Sequence, residues 1–369
     1  MTLPVVFLSG APREQGLQHG RALKDRIAQN VALYFERFDR EVGLPRSEVH
    51  AIARQYADAI ARQNPAYHAG MEGVAEGSGF PLADIAALNV RYEILYYQFG
   101  KNAIAAAQAR SEGVADGCTA FAALPAATAS GHLLMGQNWD WIPEVQGAVL
   151  HTTDEDGFET LAYTESGIVG AKIGFNQAGL GLCINGMTTV DDDWSRLSRP
   201  FHVRCWEMLR CRTLEAAQAV IAGEARACST NFLIAQTPGN VVDIEAAPDK
   251  INLLGCDRAG CLTHANHFVD PGGLGIEEAP NERRIFSQRR AARLSELLHA
   301  RLPLTTEGIQ DALRDTQDDP FGICRHRNPA EPPEMHYITV TAVVMDLETR
   351  TLHLTDGPPD ESPFQTVSL

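Results

Sequence analysis

The hydrophobic pattern of this chain changes its period near residue 117. Upstream, apolar positions recur at helical spacing, with one face buried. Residues 5–9 are an exception and read as a first strand, ending at Ser9-Gly10-Ala11-Pro12. From Arg13 to Phe38 the residues Leu17, Ala22, Ile27, Val31, Leu33, Tyr34 and Phe38 make a broad apolar stripe, which predicts one helix broken at Gly43-Leu44-Pro45. Gly16 and Gly20, four apart, predict close packing at its start. Ser47 is placed to cap a second helix through about Gln63, before Asn64-Pro65. A third segment runs from Tyr67 to Glu76, and Pro81 to Asp84 opens a helix that continues through Tyr97. Residues 101–117 are small, polar and weakly patterned, which suits an exposed linker or an ordinary loop.

Downstream the period becomes two, the mark of strands. Segments 119–124, 132–138, 147–153, 158–164, 168–174 and 180–185 read as strands, with a hairpin turn at Asp154-Glu155-Asp156-Gly157. Pro200 to Cys211 and Leu214 to Ile221 read as helices. Strands resume at Asn231–Ala235, Val241–Glu245 and Ile251–Leu254. A basic amphipathic helix, Asn281 to Leu298, and another at 306–314 precede the last strands, His336–Met345 and Thr351–Leu354. Strand sets separated by helical blocks predict an α+β fold with sheet packed on sheet and helices outside.

Composition narrows the function. In 369 residues, 44% are hydrophobic and 21% charged, enough apolar material for a real core. The net charge of −16 argues against nucleic acid and anionic membrane surfaces as main partners. No apolar run has the length of a membrane span, and the apolar start lacks the basic residues of an export signal. Eight cysteines in a chain this long do not form a dense disulfide framework, so reduced thiols in a cytoplasmic setting are the expectation.

The candidate chemistry centres on Asp116-Gly117-Cys118-Thr119, where the period changes. A thiolate attacks a carbonyl far better than a thiol does. A cysteine freed at a new N-terminus carries its own base, an α-amine of pKa about 7.7–8.0. Before such a cut, the Cys118 sulfur is placed to attack the Gly117 carbonyl, which no side chain shields. On this stretch alone, Cys118 also fits a small buried apolar residue.

Other polar groups could complete a site. Gln137-Asn138-Trp139-Asp140-Trp141 ends the strand expected beside Cys118, and Asp140 suits orienting an amine or acting as a turn residue. Asn266, in Thr263-His264-Ala265-Asn266-His267-Phe268, has the amide donor that an oxyanion needs. Arg325, in Cys324-Arg325-His326, could pair with Asp140 or grip a substrate carboxylate. Ser229-Thr230-Asn231 offers a further hydroxyl. Two rivals stay open: a cysteine paired with His264, His267 or His326 without self-cleavage, and a zinc module at Cys256, Cys261, His264 and His267. No phosphate-cradling glycine loop and no Gly-x-Ser-x-Gly elbow is present.

Taken in order, these segments resemble the isopenicillin N acyltransferase family, the acyl-coenzyme A:6-aminopenicillanic acid acyltransferases and their bacterial relatives. The likeness runs from Gly10 to Gly20, through Glu72–Gly79 and Leu88–Glu93, to Gly117-Cys118-Thr119, Gln137–Asp140, Asn266-His267 and Cys324-Arg325-His326. The resemblance implies an N-terminal-nucleophile hydrolase with a four-layer αββα sandwich and a helical N-terminal segment. It implies self-cleavage between Gly117 and Cys118 into residues 1–117 and 118–369, which stay associated as one composite domain. Cys118 would be nucleophile and its own base, Asp140 would orient the amine, Asn266 would stabilise the oxyanion and Arg325 would support the site. Trp139, Trp141, His267 and Cys324 are the expected substrate contacts. Ile142 and Pro143 stand where the penicillin enzyme is aromatic-rich, so the acyl pocket should differ. No cofactor or metal is implied. The expected substrate is a small-molecule amide or thioester, acyl-coenzyme A among the candidates, although no coenzyme A pocket is legible.

Overall fold

The change of period at residue 117 is the boundary between a helical layer and a pair of sheets. A computed structural model describes residues 2–97, 100–101, 117–281 and 283–369; the expected linker lies, but for its two ends, outside the described residues. After strand β1 (Val5–Ser9) come helices α1 (Pro12–Ala22), α2 (Lys24–Val42), α3 (Arg46–Gln63), α4 (Pro65–Ser78) and α5 (Leu82–Asn89), then a helical stretch at 91–97. The single helix expected over Arg13–Phe38 is two, because Leu23 leaves helical geometry at φ −115°. Ser47 does not cap α3; Pro45 occupies that position without a side-chain bond.

The glycines explain why α1 keeps its own direction. Gly16 and Gly20 meet α4 backbone to backbone, and a Cβ on Gly20 would fall 2.5 Å from the Val74 carbonyl oxygen. On the α4 side, a Cβ on Gly73 would lie 2.8 Å from the Leu17 nitrogen. Only glycine permits this approach, as the four-residue spacing foretold.

The remaining elements are β2 (Gly117–Ala123), β3 (Leu134–Trp141), β4 (Gly147–Thr153), β5 (Glu159–Glu165), β6 (Ile173–Asn176), β7 (Leu180–Gly186), α6 (Phe201–Met208), α7 (Leu214–Ala222), β8 (Thr230–Gln236), β9 (Asn240–Ala246), β10 (Ile251–Leu254), β11 (Cys261–His264), α8 (Pro271–Leu274), α9 (Arg284–His299), α10 (Thr306–Leu313), β12 (Ile338–Asp346), β13 (Thr351–Leu354) and β14 (Gln365–Ser368). β6 starts later than its expected 168–174, since Gly167 and Gly170 take positive φ and turn the chain there. The C-terminal β14 lies beyond the last strand that the alternation predicts.

Two sheets result, ordered β1-β4-β5-β6-β7-β8-β9-β10 and β11-β2-β3-β12-β13-β14. Alternation along β2 shows the layering. Cys118, Ala120 and Ala122 join the large core with residues of the eight-stranded sheet, while Phe121 and Ala123 pack on Leu294 and Leu297 of α9 and Ile309 and Leu313 of α10. Helices therefore cover the outer faces of two stacked sheets, a four-layer αββα sandwich of the α+β class. Among the described residues no helix is long and apolar enough to cross a membrane.

Candidate active site

The site begins where β2 begins. Gly117 pairs with Asp140 and Cys118 with Trp139 in the antiparallel β2–β3 ladder. Cys118 is buried, with 2% of its surface exposed, and Asp140 is fully buried. Asp140 Oδ1 accepts a 2.7 Å bond from Thr339 Oγ1, the residue opposite it on β12. That same hydroxyl accepts 2.9 Å from the Arg325 backbone nitrogen, so one threonine anchors both the acid and the arginine. Their charged ends converge on Gly117. A Cβ there would stand 2.6 Å from Arg325 Nη1 and 2.7 Å from Asp140 Oδ2. Glycine precedes the cysteine because a buried acid and a buried arginine occupy the space of its side chain.

Asn266 lies on the other flank. Its Oδ1 accepts from the Cys118 backbone nitrogen at 2.6 Å and from Arg290 Nη2 at 2.8 Å, while its Nδ2 donates 2.9 Å to the Gly186 carbonyl. Two donors aimed at one atom fix which end of the amide is oxygen. Asn266 thus turns its carbonyl oxygen to the Cys118 nitrogen and keeps one Nδ2 hydrogen beyond the bond to Gly186. Arg290 also donates to Thr119 Oγ1 at 3.3 Å. Ser287, one helical turn earlier on α9, accepts from the Asn266 nitrogen at 2.7 Å and meets His267 Nδ1 at 2.8 Å. Burial, reinforced by His264, lowers the His267 pKa to about 4, so this ring is neutral at pH 7.

Behind Trp139 sits a buried ionic cluster. Lys172 Nζ lies 3.5 Å from the centroid of the Trp139 ring and bonds to Glu165. Glu165 also binds Arg91, with Nε at 2.9 Å, and the Tyr34 hydroxyl. Tyr34 in turn accepts 2.7 Å from Trp141 Nε1, and Tyr96 stacks on Trp141 at 6.3 Å. Burial lowers the Lys172 pKa to about 8, with Glu165 and, more weakly, the Cys118 sulfur opposing the shift. Residues on both sides of the change of period therefore build the wall next to Cys118.

Sequence reasoning missed Arg290, Lys172, Glu165 and Arg91. Arg290 had a signal: it falls on the buried stripe of α9 with Ser287, Leu294 and Leu297. Several other expectations disperse. Both ring nitrogens of His264 are engaged, by Glu245 at 2.9 Å and by the Ala265 carbonyl at 2.8 Å. Those of His326 face Asp319 and Asp360. Each ring nitrogen of these two histidines already has a partner other than Cys118. The zinc set Cys256, Cys261, His264 and His267 does not gather among the described residues. Positions 261 and 264 lie on opposite faces of β11, with Cys261 in the helix-side core and His264 on Glu245. The hydroxyls of Ser229 and Thr230 are tied to Asp192 and Tyr92. Cys324 is directed at Asp360, 3.0 Å away.

The chain is similar to known proteins. The sequence profile of the family described as acyl-coenzyme A:6-aminopenicillanic acid acyl-transferase matches residues 127–361, a span that holds Asp140, Asn266 and Arg325 and begins downstream of Cys118. The acyl-coenzyme A:6-aminopenicillanic-acid-acyltransferase 40 kDa form of Emericella nidulans is 25% identical over 325 residues, which cover 87% of this chain and 84% of that protein. Among solved structures, a Caenorhabditis elegans N-acylethanolamine-hydrolyzing acid amidase ortholog aligns with a TM-score of 0.46 at 14% identity, over 62% of this chain and 93% of that one. Penicillin V acylase from Agrobacterium tumefaciens aligns with a TM-score of 0.45 at 13% identity, over 65% of this chain and 83% of that one.

Proposed function

The chain belongs to the acyl-coenzyme A:6-aminopenicillanic acid acyl-transferase family, and from that premise we propose that it cuts its own Gly117–Cys118 bond and then moves acyl groups through Cys118. The observation that carries this reading is the setting of that bond. Its nitrogen is bonded to Asn266, and its glycine is enclosed by Asp140 and Arg325.

In the maturation step the Cys118 sulfur adds to the Gly117 carbonyl and the C–N bond breaks. The nitrogen leaves as the α-amine, and a Gly117 thioester remains on sulfur. Water opens that ester, giving a carboxylate on Gly117 and a free thiol on Cys118. In turnover the amine takes the thiol proton and the sulfur attacks the substrate carbonyl. The proton passes to the departing amine or thiol, and water or an acceptor amine then takes the acyl group from the thioester. Asn266 Oδ1 orients the new amine, and the remaining Nδ2 hydrogen of Asn266 is available to the oxyanion. Asp140 and Arg325 hold the position vacated by the peptide. Trp139, Trp141 and His267 border the substrate. The substrate is a small-molecule amide or a thioester, and acyl-coenzyme A falls in the second class.

The segments 1–117 and 118–369 stay joined after the cut. β1 forms one edge of the eight-stranded sheet, paired in parallel with β4, and Arg91 and Tyr34 bond to Glu165 across the division.

The test is to quench the enzyme during turnover of a panel of N-acyl amides and acyl thioesters and weigh the fragment that begins at residue 118. A mass increment equal to the acyl group, removed by hydroxylamine, is expected. Turnover without any adduct on Cys118, unaffected by its alkylation, would rule the reading out. Gly117→Ala supplies a second check. The new methyl group must displace Arg325 and Asp140, both buried, and misplacement of about 1 Å can cost roughly 100-fold in rate. Uncut chain is expected to accumulate on a denaturing gel; cleavage at the wild-type rate would contradict the packing argument.

A further inference from the structure

The loop that carries Arg325 carries a second set of reactive side chains. Cys324 and His326 flank the arginine, and both approach the segment between β13 and β14. Cys324 Sγ lies 3.0 Å from Asp360 Oδ1, and His326 Nε2 lies 3.1 Å from the same oxygen. The three donor atoms are all within 4.8 Å of one another. The other ring nitrogen, Nδ1, is 2.8 Å from Asp319 Oδ1. Glu361 Oε1 stands 3.9 Å from Nε2. Cys324 is fully buried, whereas the His326 and Asp360 side chains keep 21% and 29% of their surface exposed, so the cluster has a solvent side.

Sulfur, imidazole nitrogen and a carboxylate oxygen are the donor types zinc takes. With bonds of about 2.3 Å to sulfur and about 2.0–2.2 Å to nitrogen and oxygen, tetrahedral ligand atoms stand roughly 3.3–3.6 Å apart. The His326–Asp360 spacing is a few tenths of an ångström shorter than that, and the Cys324–Asp360 spacing about half an ångström shorter. Asp319 sits where a carboxylate orients a metal-bound imidazole through its other nitrogen. Magnesium and calcium prefer oxygen donors alone, so the sulfur and imidazole select against them.

We propose that Cys324, His326 and Asp360 form a three-ligand site for a zinc-class divalent cation, with the fourth position open toward Glu361 and solvent. The thiol enters as thiolate, its proton passing to solvent. The cation ties the chain on both sides of Arg325 to the segment at 360, and so fixes the backbone that aims the guanidinium at Gly117. None of its three ligands takes part in the acyl chemistry proposed for Cys118.

The experiment uses the full-length protein, stripped with a chelator and titrated with zinc chloride in competition with a chromophoric chelator. A single zinc per chain with a Kd below about 1 μM is expected. Cys324→Ser and His326→Gln are each expected to weaken binding at least ~100-fold. Asp360→Asn keeps the shape and hydrogen-bonding capacity of the side chain, so it reports on binding where the other variants fold poorly; a loss of ~10-fold or more is expected. Cys256→Ser should bind zinc like wild type, and magnesium chloride should not compete. Absence of stoichiometric binding tighter than about 10 μM would overturn the proposal. So would zinc binding that survives Asp360→Asn and His326→Gln, or that is lost in Cys256→Ser.

Discussion

Cys118→Ala is expected to lose acyl turnover by a factor of about 10⁴ or more, measured as product release from N-acyl amides and acyl thioesters at saturating substrate. Removing the nucleophile of a covalent mechanism leaves only binding and oxyanion stabilisation, and such losses run to roughly 10⁶-fold. Among the described residues, the other buried thiols are poor substitutes. Cys183, Cys205 and Cys228 are buried, and burial pushes their thiols up. His264 and His326 have both ring nitrogens engaged. Cys118→Ser separates two contributions, since its hydroxyl occupies the same space but ionises far less readily. It should retain the fold and turn over much more slowly than wild type. Wild-type turnover by Cys118→Ala would remove the mechanism.

The second large effect is on stability. Glu165→Gln is expected to cost about 3–5 kcal/mol, read by urea unfolding at pH 7. Glu165 is completely buried and receives bonds from Arg91, Lys172 and Tyr34. Burial alone would raise its pKa, but Arg91 and Lys172 outweigh that and hold it well below the ordinary carboxylate range. A neutral glutamine removes the countercharge that two buried cations share. Lys172, already lowered to about 8 by burial, can then give up its proton, which limits the damage. Arg91 cannot. The sign with pH follows from the depressed carboxylate. Its contribution is complete above the unfolded glutamate pKa of about 4.3 and disappears as pH falls through the folded value. The difference between wild type and Glu165→Gln should therefore narrow below about pH 4. Equal stability of the two proteins at pH 7 would show that the cluster contributes nothing net.

The sequence was most legible where a local rule decides the outcome. The shift from helical to alternating spacing located β2, and Gly16 and Gly20 announced the tight α1–α4 contact. Asp140 was expected beside Cys118 because the strand carrying it follows directly, and the ladder places it opposite Gly117. What was not legible depends on residues far apart in the chain. Arg290 meets Asn266 only because α9 lies across the β11 end of the six-stranded sheet. The Arg91–Glu165–Lys172 cluster joins a helix, the end of β5 and the turn before β6, and no spacing connects them. The zinc set of Cys256, Cys261, His264 and His267 looked compact in sequence, but a strand sends residues three apart to opposite faces. Donors that do gather, such as Cys324, His326 and Asp360, come from two separate loops.

The central claim is that the chain divides itself at the bond before Cys118. The most direct measurement is the mass of the purified protein under denaturing conditions, with Cys118→Ala prepared alongside. Two species, one ending at Gly117 and one beginning at Cys118, with the variant intact, are the predicted result. A wild-type chain that stays whole while it turns over substrate, or a Cys118→Ala chain cut at the same bond, would contradict it.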